Sequence, residues 1–236
     1  MNQQYISFYK RTCFLIVCWA ALSCSAQSYS FPILRSGNEY RAAIRKNADN
    51  RLVELKSRIP GLVYDLRYAT TDNFMHRRMY PAGTRISFMR KPAAEALAAV
   101  QAELRMQGLG IKIFDAYRPF GVSEKFWELV KDERYVANPA KGSNHNRGTA
   151  VDLTLIDLKT GQELPMGTGF DNFTDTAHHS FKALPPQVLR NREQLKAVME
   201  RHGFKPLDSE WWHYTYTAGL FEVLDLSFKQ LNKYNK

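Results

Sequence analysis

Cysteine stops early in this chain. All three, Cys13, Cys18 and Cys24, fall within the first 26 residues, and none follows. A mature chain without them forms no disulfide and offers no thiolate to a metal, so any metal must be held by His, Asp or Glu. Long apolar runs are scarce too. Cys13 to Leu22 is apolar but too short to cross a bilayer as a stable helix, and no stable membrane span is expected in the mature chain. Arginine-rich runs and aromatic–basic interleaving are missing, so nothing points to nucleic acid as a partner. There is no internal repeat and no low-complexity tract, which excludes solenoids and arrays.

What is present is the composition of a folded protein. The 236 residues are 44% apolar and 24% charged, enough for one generous domain or two small ones with an adequate core. Aromatics reach 13%, which favours a tightly packed core and a stacked pocket wall. Lys and Arg outnumber Asp and Glu by 33 to 23, and a charge of +8 remains once Lys10 and Arg11 are removed with a leader. Such a surface suits an anionic membrane or an acidic wall polymer, but without a basic run a plain solvated surface is the simpler reading. Residues 1–26 read as a secretion signal: Lys10-Arg11, the short apolar core, then Ser23-Cys24-Ser25-Ala26, with cleavage after Ala26. The protein is therefore expected to be exported and periplasmic. Cys24 is a candidate for lipid attachment, although the large aliphatic of Ala21-Leu22-Ser23 stands one place late for a lipobox. Residues 27–50 are polar and mixed and read as an N-terminal extension or a poorly ordered lead-in, leaving 51–236 as the functional domain.

Periodicity predicts a helix over Pro92 to Gln107, with Ala93, Leu97, Val100 and Leu104 at helical spacing and Gly108 as its stop. Strands are predicted over Leu62 to Tyr68, Ile111 to Phe114, the segment after Gly148, and Trp211 to Tyr216. Ser123 is placed to cap a second helix carrying Phe126, Trp127 and Val130, and a third spans Asn191 to His202 before Gly203. The elements interleave without a regular βαβ rhythm. That favours an α+β domain with a central, mainly antiparallel sheet flanked by helices.

The chemistry gathers where a polar loop, Ser143 to Gly148, runs into the strand-like Thr149 to Leu155. His145 on the loop and Asp152 on the strand offer an imidazole nitrogen and a carboxylate oxygen, both acceptable to zinc. A third ligand is needed. His213 supplies it in Glu210-Trp211-Trp212-His213-Tyr214, where a carboxylate precedes the histidine by three positions. Glu210 then serves as fourth ligand or as general base, and we assign it as base, leaving a position open for water. On a regular strand, positions i and i+3 point to opposite faces, so a bulge or turn has to bring Glu210 and His213 to one pocket. Arg118 is a cation available to an oxyanion, a role worth roughly 3–4 kcal/mol of barrier when preorganised. Taken singly, each residue has a bland reading: core histidine, surface arginine, solvated loop acid.

Together, Ser143-x-His145-x-x-Gly148-x-Ala150-x-Asp152, Glu210-x-x-His213 and Asp115-Ala116-Tyr117-Arg118-Pro119 resemble the zinc D-alanyl-D-alanine dipeptidases of the VanX type. These belong to a wider group of D-Ala-D-Ala peptidases that share a fold with the hedgehog signalling domain. Tyr68 to Phe74 and Pro165 to Asp171 extend the resemblance, which covers most of the chain from Leu62 to Tyr214. It implies one zinc ion on His145, Asp152 and His213, Glu210 as catalytic base, and Arg118 steadying the transition state. It also implies that Ser143 and Asp171 receive the free ammonium of a small dipeptide substrate. His178-His179 fall in a family-like stretch that a polar loop explains equally well.

The leader departs from the family's cytoplasmic, resistance-associated members and suggests salvage of D-Ala-D-Ala in cell wall turnover. Two alternatives stand beside this reading. One is a peptidoglycan D,D-carboxypeptidase or endopeptidase acting on cell wall peptides. The other is a non-catalytic wall-binding protein on the same fold.

Overall fold

The computed structural model describes residues 29–133 and 136–235; the leader expected over residues 1–26 lies outside them. Strand β1 (Ile33–Leu34) opens the described chain, followed by helix α1 (Gly37–Lys46). A capping box starts α1: the Ser36 side chain accepts from Glu39 N while Glu39 reaches back to Ser36 N. This segment is packed on the body, so of its two readings the poorly ordered lead-in does not hold. Tyr40 is fully buried, its hydroxyl accepts from Leu52 N at 2.6 Å, and β1 pairs in parallel with β9 (Val223–Leu224) at the far end of the chain. A partner 190 residues away leaves no local trace in composition.

Next come β2 (Leu52–Glu54), α2 (Leu55–Arg58), β3 (Val63–Tyr64), β4 (Phe88–Arg90) and α3 (Lys91–Arg105). The strand predicted over Leu62 to Tyr68 is cut to two residues because the chain turns into a 3-10 helix at Arg67–Ala69. The first predicted helix ends two residues early, and Gly108 follows at φ 74° in the left-handed region that stops a helix. After β5 (Leu109–Asp115), helix α4 (Phe120–Val130) begins directly behind Pro119. Ser123 is thus not a cap; it is buried in the first turn of α4, where its hydroxyl accepts from Asn146 Nδ2 at 2.8 Å. The chain continues through α5 (Asn144–Arg147), β6 (Ala150–Asp157), α6 (Pro186–Arg201), β7 (Phe204–Leu207), β8 (Glu210–Tyr216), β9 and α7 (Phe228–Lys233). Helix α6 starts five residues before its predicted Asn191, since Pro186 suits a first turn.

A five-stranded sheet in the order β3-β5-β6-β8-β7 forms the centre, antiparallel except for the β3–β5 pair. The α+β, mainly antiparallel architecture is therefore as expected. Val151, Leu153 and Leu155 alternate along β6 and join Leu97, Val100 and Leu104 of α3 and Leu195 and Met199 of α6 in one buried core. By the period of two, Asp152 must then point to the opposite face. That face carries the site.

A candidate metal centre in an aromatic cleft

Three strands deliver acidic and imidazole groups to this face. Asp152 on β6 is the direct cross-strand partner of His213 on β8, so both side chains share a face. Its other neighbour is Asp115 of β5. A register shift between Ile113 and Asp115 gives β5 one extra residue, so Ile113 stays on the core side with Leu153 while Asp115 turns to join Asp152. His145 arrives from α5, a single turn capped by Ser143 and closed by Gly148 at φ 73°.

The ligand atoms of His145, Asp152 and His213 lie within 4.8 Å of one another. His145 Nε2 is 3.3 Å from His213 Nδ1 and 3.4 Å from Asp152 Oδ2, and His213 Nδ1 is 2.9 Å from Asp152 Oδ1. Ligands about 2.0 Å from a tetrahedral zinc stand roughly 3.3 Å apart, so the trio is spaced as three corners of such a shell. The outer nitrogens are committed elsewhere: His145 Nδ1 lies 2.7 Å from Ala116 O, and His213 Nε2 lies 3.3 Å from Thr215 Oγ1. Each such contact, with the outer nitrogen donating, leaves the inner one as a lone pair facing the shared space. Two nitrogens and one carboxylate oxygen, with no thiolate, fit zinc and leave one position open.

Burial by itself would raise the Asp152 carboxyl, but His145 and then His213 hold it well below the usual carboxylate range. Burial works against a charge on His213, yet its hydrogen bond to Asp152 raises it above an ordinary histidine. A divalent cation held by both groups would therefore compete with protons for His213.

Glu210 reaches the same place by an irregularity. Pro206 of β7 faces Tyr214 while the next residue, Leu207, faces Glu210, so Trp211, Trp212 and His213 have no partners on β7. The strand bends there, and Glu210 Oε2 comes to 3.9 Å from His213 Nδ1. This supplies the bulge that the i and i+3 spacing required. Burial raises the Glu210 carboxyl, with His213 opposing and Asp152 adding to the shift.

Arg118 is buried, and its guanidinium lies over the rings of Tyr68 and Phe126 at 5.0 and 4.8 Å. Its Nε and Nη2 both donate to Asp115 Oδ2, at 3.0 and 2.8 Å. Burial disfavours the charge, but Asp115 more than compensates and keeps Arg118 protonated. Asp171 sits at φ 58°, a left-handed conformation unusual outside glycine. Its Oδ1 accepts from Tyr68 OH at 3.1 Å, while Oδ2 is buried with no hydrogen-bond partner. Burial, then the Asp152 charge, pushes its carboxyl well above the ordinary value. Ser143 Oγ accepts from His145 N at 3.2 Å and, in a capping box, from Asn146 N, and keeps its O–H for a ligand.

All seven residues singled out in the sequence line one cleft of about 600 Å³, walled by Tyr68, Phe74, Phe126, Phe173 and Trp212. His178 and His179 do not border it; the His179 ring meets Tyr214 edge-on at 6.0 Å. Sequence reasoning missed Asp115 as the anchor of Arg118 and Tyr68 as the partner of Asp171, although both stand inside the quoted motifs.

With this geometry in place, a family model described as D-ala-D-ala dipeptidase matches residues 48–230. A D-alanyl-D-alanine dipeptidase of Escherichia coli (strain K12) is 39% identical over 163 residues, covering 69% of this chain and 83% of its own length. One from Enterococcus faecalis is 31% identical over 184 residues, covering 70% and 91%. One from Streptomyces coelicolor is 31% identical over 177 residues, covering 66% and 87%.

Proposed function

Because the chain belongs to the D-ala-D-ala dipeptidase family, we propose that it is a zinc metallopeptidase that hydrolyses free D-Ala-D-Ala to two D-alanines. The observation that carries this reading is the convergence of His145, Asp152 and His213, three ligands without a thiolate, beside Glu210 in one cleft.

Zinc bound there supplies an acidified water and a polarised substrate carbonyl. The chain's own groups do the rest. Glu210, half-buried and close to no cation but the site histidine among the described residues, takes a proton from the attacking water and returns it to the departing amine. Arg118, held over two rings and pinned to Asp115, faces the oxyanion that develops on the scissile carbonyl. Asp171 Oδ2, a buried acceptor without a donor, suits the free ammonium of a dipeptide. Extending the substrate at that end would leave the carboxylate without a cationic partner, which is how the site favours a dipeptide over a wall-attached chain. The Ser143 hydroxyl lines the cleft as a further polar contact for the substrate.

The leader-like residues 1–26 support a reaction outside the cytoplasm, in turnover and salvage of wall peptides. One observation favours the carboxypeptidase reading: a cleft of about 600 Å³ leaves room beyond a dipeptide. Purified protein offered D-Ala-D-Ala, its N-acetylated form and muropeptides separates the two. Release of D-alanine from the free dipeptide alone supports the dipeptidase; cleavage of muropeptides alone overturns it. A non-catalytic wall-binding role leaves Glu210 and Arg118 without a purpose, and absence of turnover on every substrate would restore it.

A further inference from the structure

Tyr80 does not line the cleft itself but packs behind its wall, against Tyr68, and bonds to the carboxylate that holds Arg118. Tyr80 is 3% exposed. Its hydroxyl donates to Asp115 Oδ1 at 2.5 Å, the short distance of a hydrogen bond to a carboxylate. The other oxygen, Oδ2, receives both Arg118 contacts and lies 3.7 Å from His145 Nδ1. Each carboxylate oxygen thus has its own donors, and that division fixes the rotation of the carboxyl. Tyr80 is itself fixed: its backbone N donates to Tyr68 O at 2.9 Å, and its ring meets Tyr68 at 5.8 Å and Phe228 at 4.9 Å.

The geometry points to Tyr80 as a positioning residue that aims the Arg118 guanidinium into the cleft by locking the Asp115 carboxylate; this rests on the oxyanion role given to Arg118 above. Without the phenol hydroxyl, Oδ1 becomes a buried acceptor with no donor. The carboxylate then turns to share Arg118 between its two oxygens, and the guanidinium leaves its place between Tyr68 and Phe126. Arg118 acts on the transition state more than on the ground state, so the loss falls on kcat rather than on KM. Tyr80→Phe keeps the ring and its contacts, so packing is preserved.

The test is a double-mutant cycle on zinc-loaded protein with D-Ala-D-Ala: wild type, Y80F, R118M and Y80F/R118M, with zinc content and melting temperature measured on each. Y80F is expected to lower kcat about tenfold, as the loss of a hydrogen bond to a charged group implies, with zinc stoichiometry unchanged. KM should stay within about twofold, and in the R118M background Y80F should change kcat by less than about twofold, because the two act as one unit. An equal fall in both backgrounds, an unchanged kcat, or a rise in KM alone would overturn the coupling of Tyr80 to Arg118. R118M with wild-type turnover would instead remove the role of Arg118 itself, and the proposal with it; that result is read from the single variant, before Tyr80 enters.

Discussion

Replacing Glu210 by glutamine removes one proton acceptor and almost nothing else. The side chain is 18% exposed and stands 3.9 Å from His213 Nδ1, outside the trio of ligand atoms. Glutamine has the same shape, so Trp211 and Trp212 keep their packing and the three ligands keep their spacing. What is lost is the group that moves a proton from water to the leaving nitrogen, a contribution of about 10²–10⁴ in rate. That equals roughly 3–5 kcal/mol of barrier. The assay is D-alanine released from D-Ala-D-Ala by zinc-loaded E210Q, with zinc per chain measured on the same sample. The expected outcome is full zinc occupancy, KM near that of the wild type and kcat lower by at least about a hundredfold. A kcat within about tenfold of the wild type would show that another group carries the proton. Loss of zinc would show that Glu210 is a ligand, and the assignment of base and ligands would have to be exchanged.

Further outcomes follow from the same geometry. Asp171→Asn should raise KM for D-Ala-D-Ala and also raise the melting temperature of the metal-free protein at neutral pH. The sign is set by burial: the Asp171 carboxyl titrates well above its ordinary value, so it stabilises the fold at low pH and that contribution is lost as pH rises toward the folded value. The melting advantage of the variant should therefore vanish below about pH 3.9, and an advantage that persists there would refute the argument. Chelation should lower the melting temperature and added zinc should restore it. Zinc affinity should weaken as pH falls, beginning above the ordinary histidine value of about 6.5, because Asp152 raises the proton affinity of His213. Competition with a chelator across pH reads this directly, and a flat profile would contradict it. Gly148→Ala should destabilise by roughly 2 kcal/mol or more, since the residue sits in the left-handed region and lacks room for a methyl group. Its Cβ would lie 2.5 Å from Leu52 Cδ2 at φ 73°. Thermal unfolding measures the loss, and an unchanged melting temperature would mean that the turn after α5 relaxes freely.

The parts of the site that were legible in the sequence are those fixed by local chain geometry. Ser143 caps one turn, Gly148 closes it in the left-handed region, and β6 then places Asp152 by its period of two. His145 and Asp152 therefore come as a unit from ten consecutive residues. The helices over residues 91–105 and 186–201 were legible for the same reason, because their apolar spacing is short-range. What escaped depends on register and on distant partners. Asp115 reaches the cleft only because β5 carries an extra residue against β6, and no residue type announces that bulge. Tyr80 looks like loop punctuation beside Pro81, yet its hydroxyl is bound 35 residues away. The order of the N-terminal extension was not legible because Ile33, Leu34 and Tyr40 find their cover near Val223 and Tyr234. Ser123 resembled a cap in isolation, but Pro119 starts the helix one turn earlier.

Alanine released from D-Ala-D-Ala and from L-Ala-L-Ala by the zinc-loaded protein, then by the same protein after chelation and after zinc is returned, tests the whole account. Release from the D,D-dipeptide that disappears with the metal and returns with it, alongside an inert L,L-dipeptide, is the result required. Release that survives complete removal of zinc, or no release from D-Ala-D-Ala at any zinc occupancy, would contradict it.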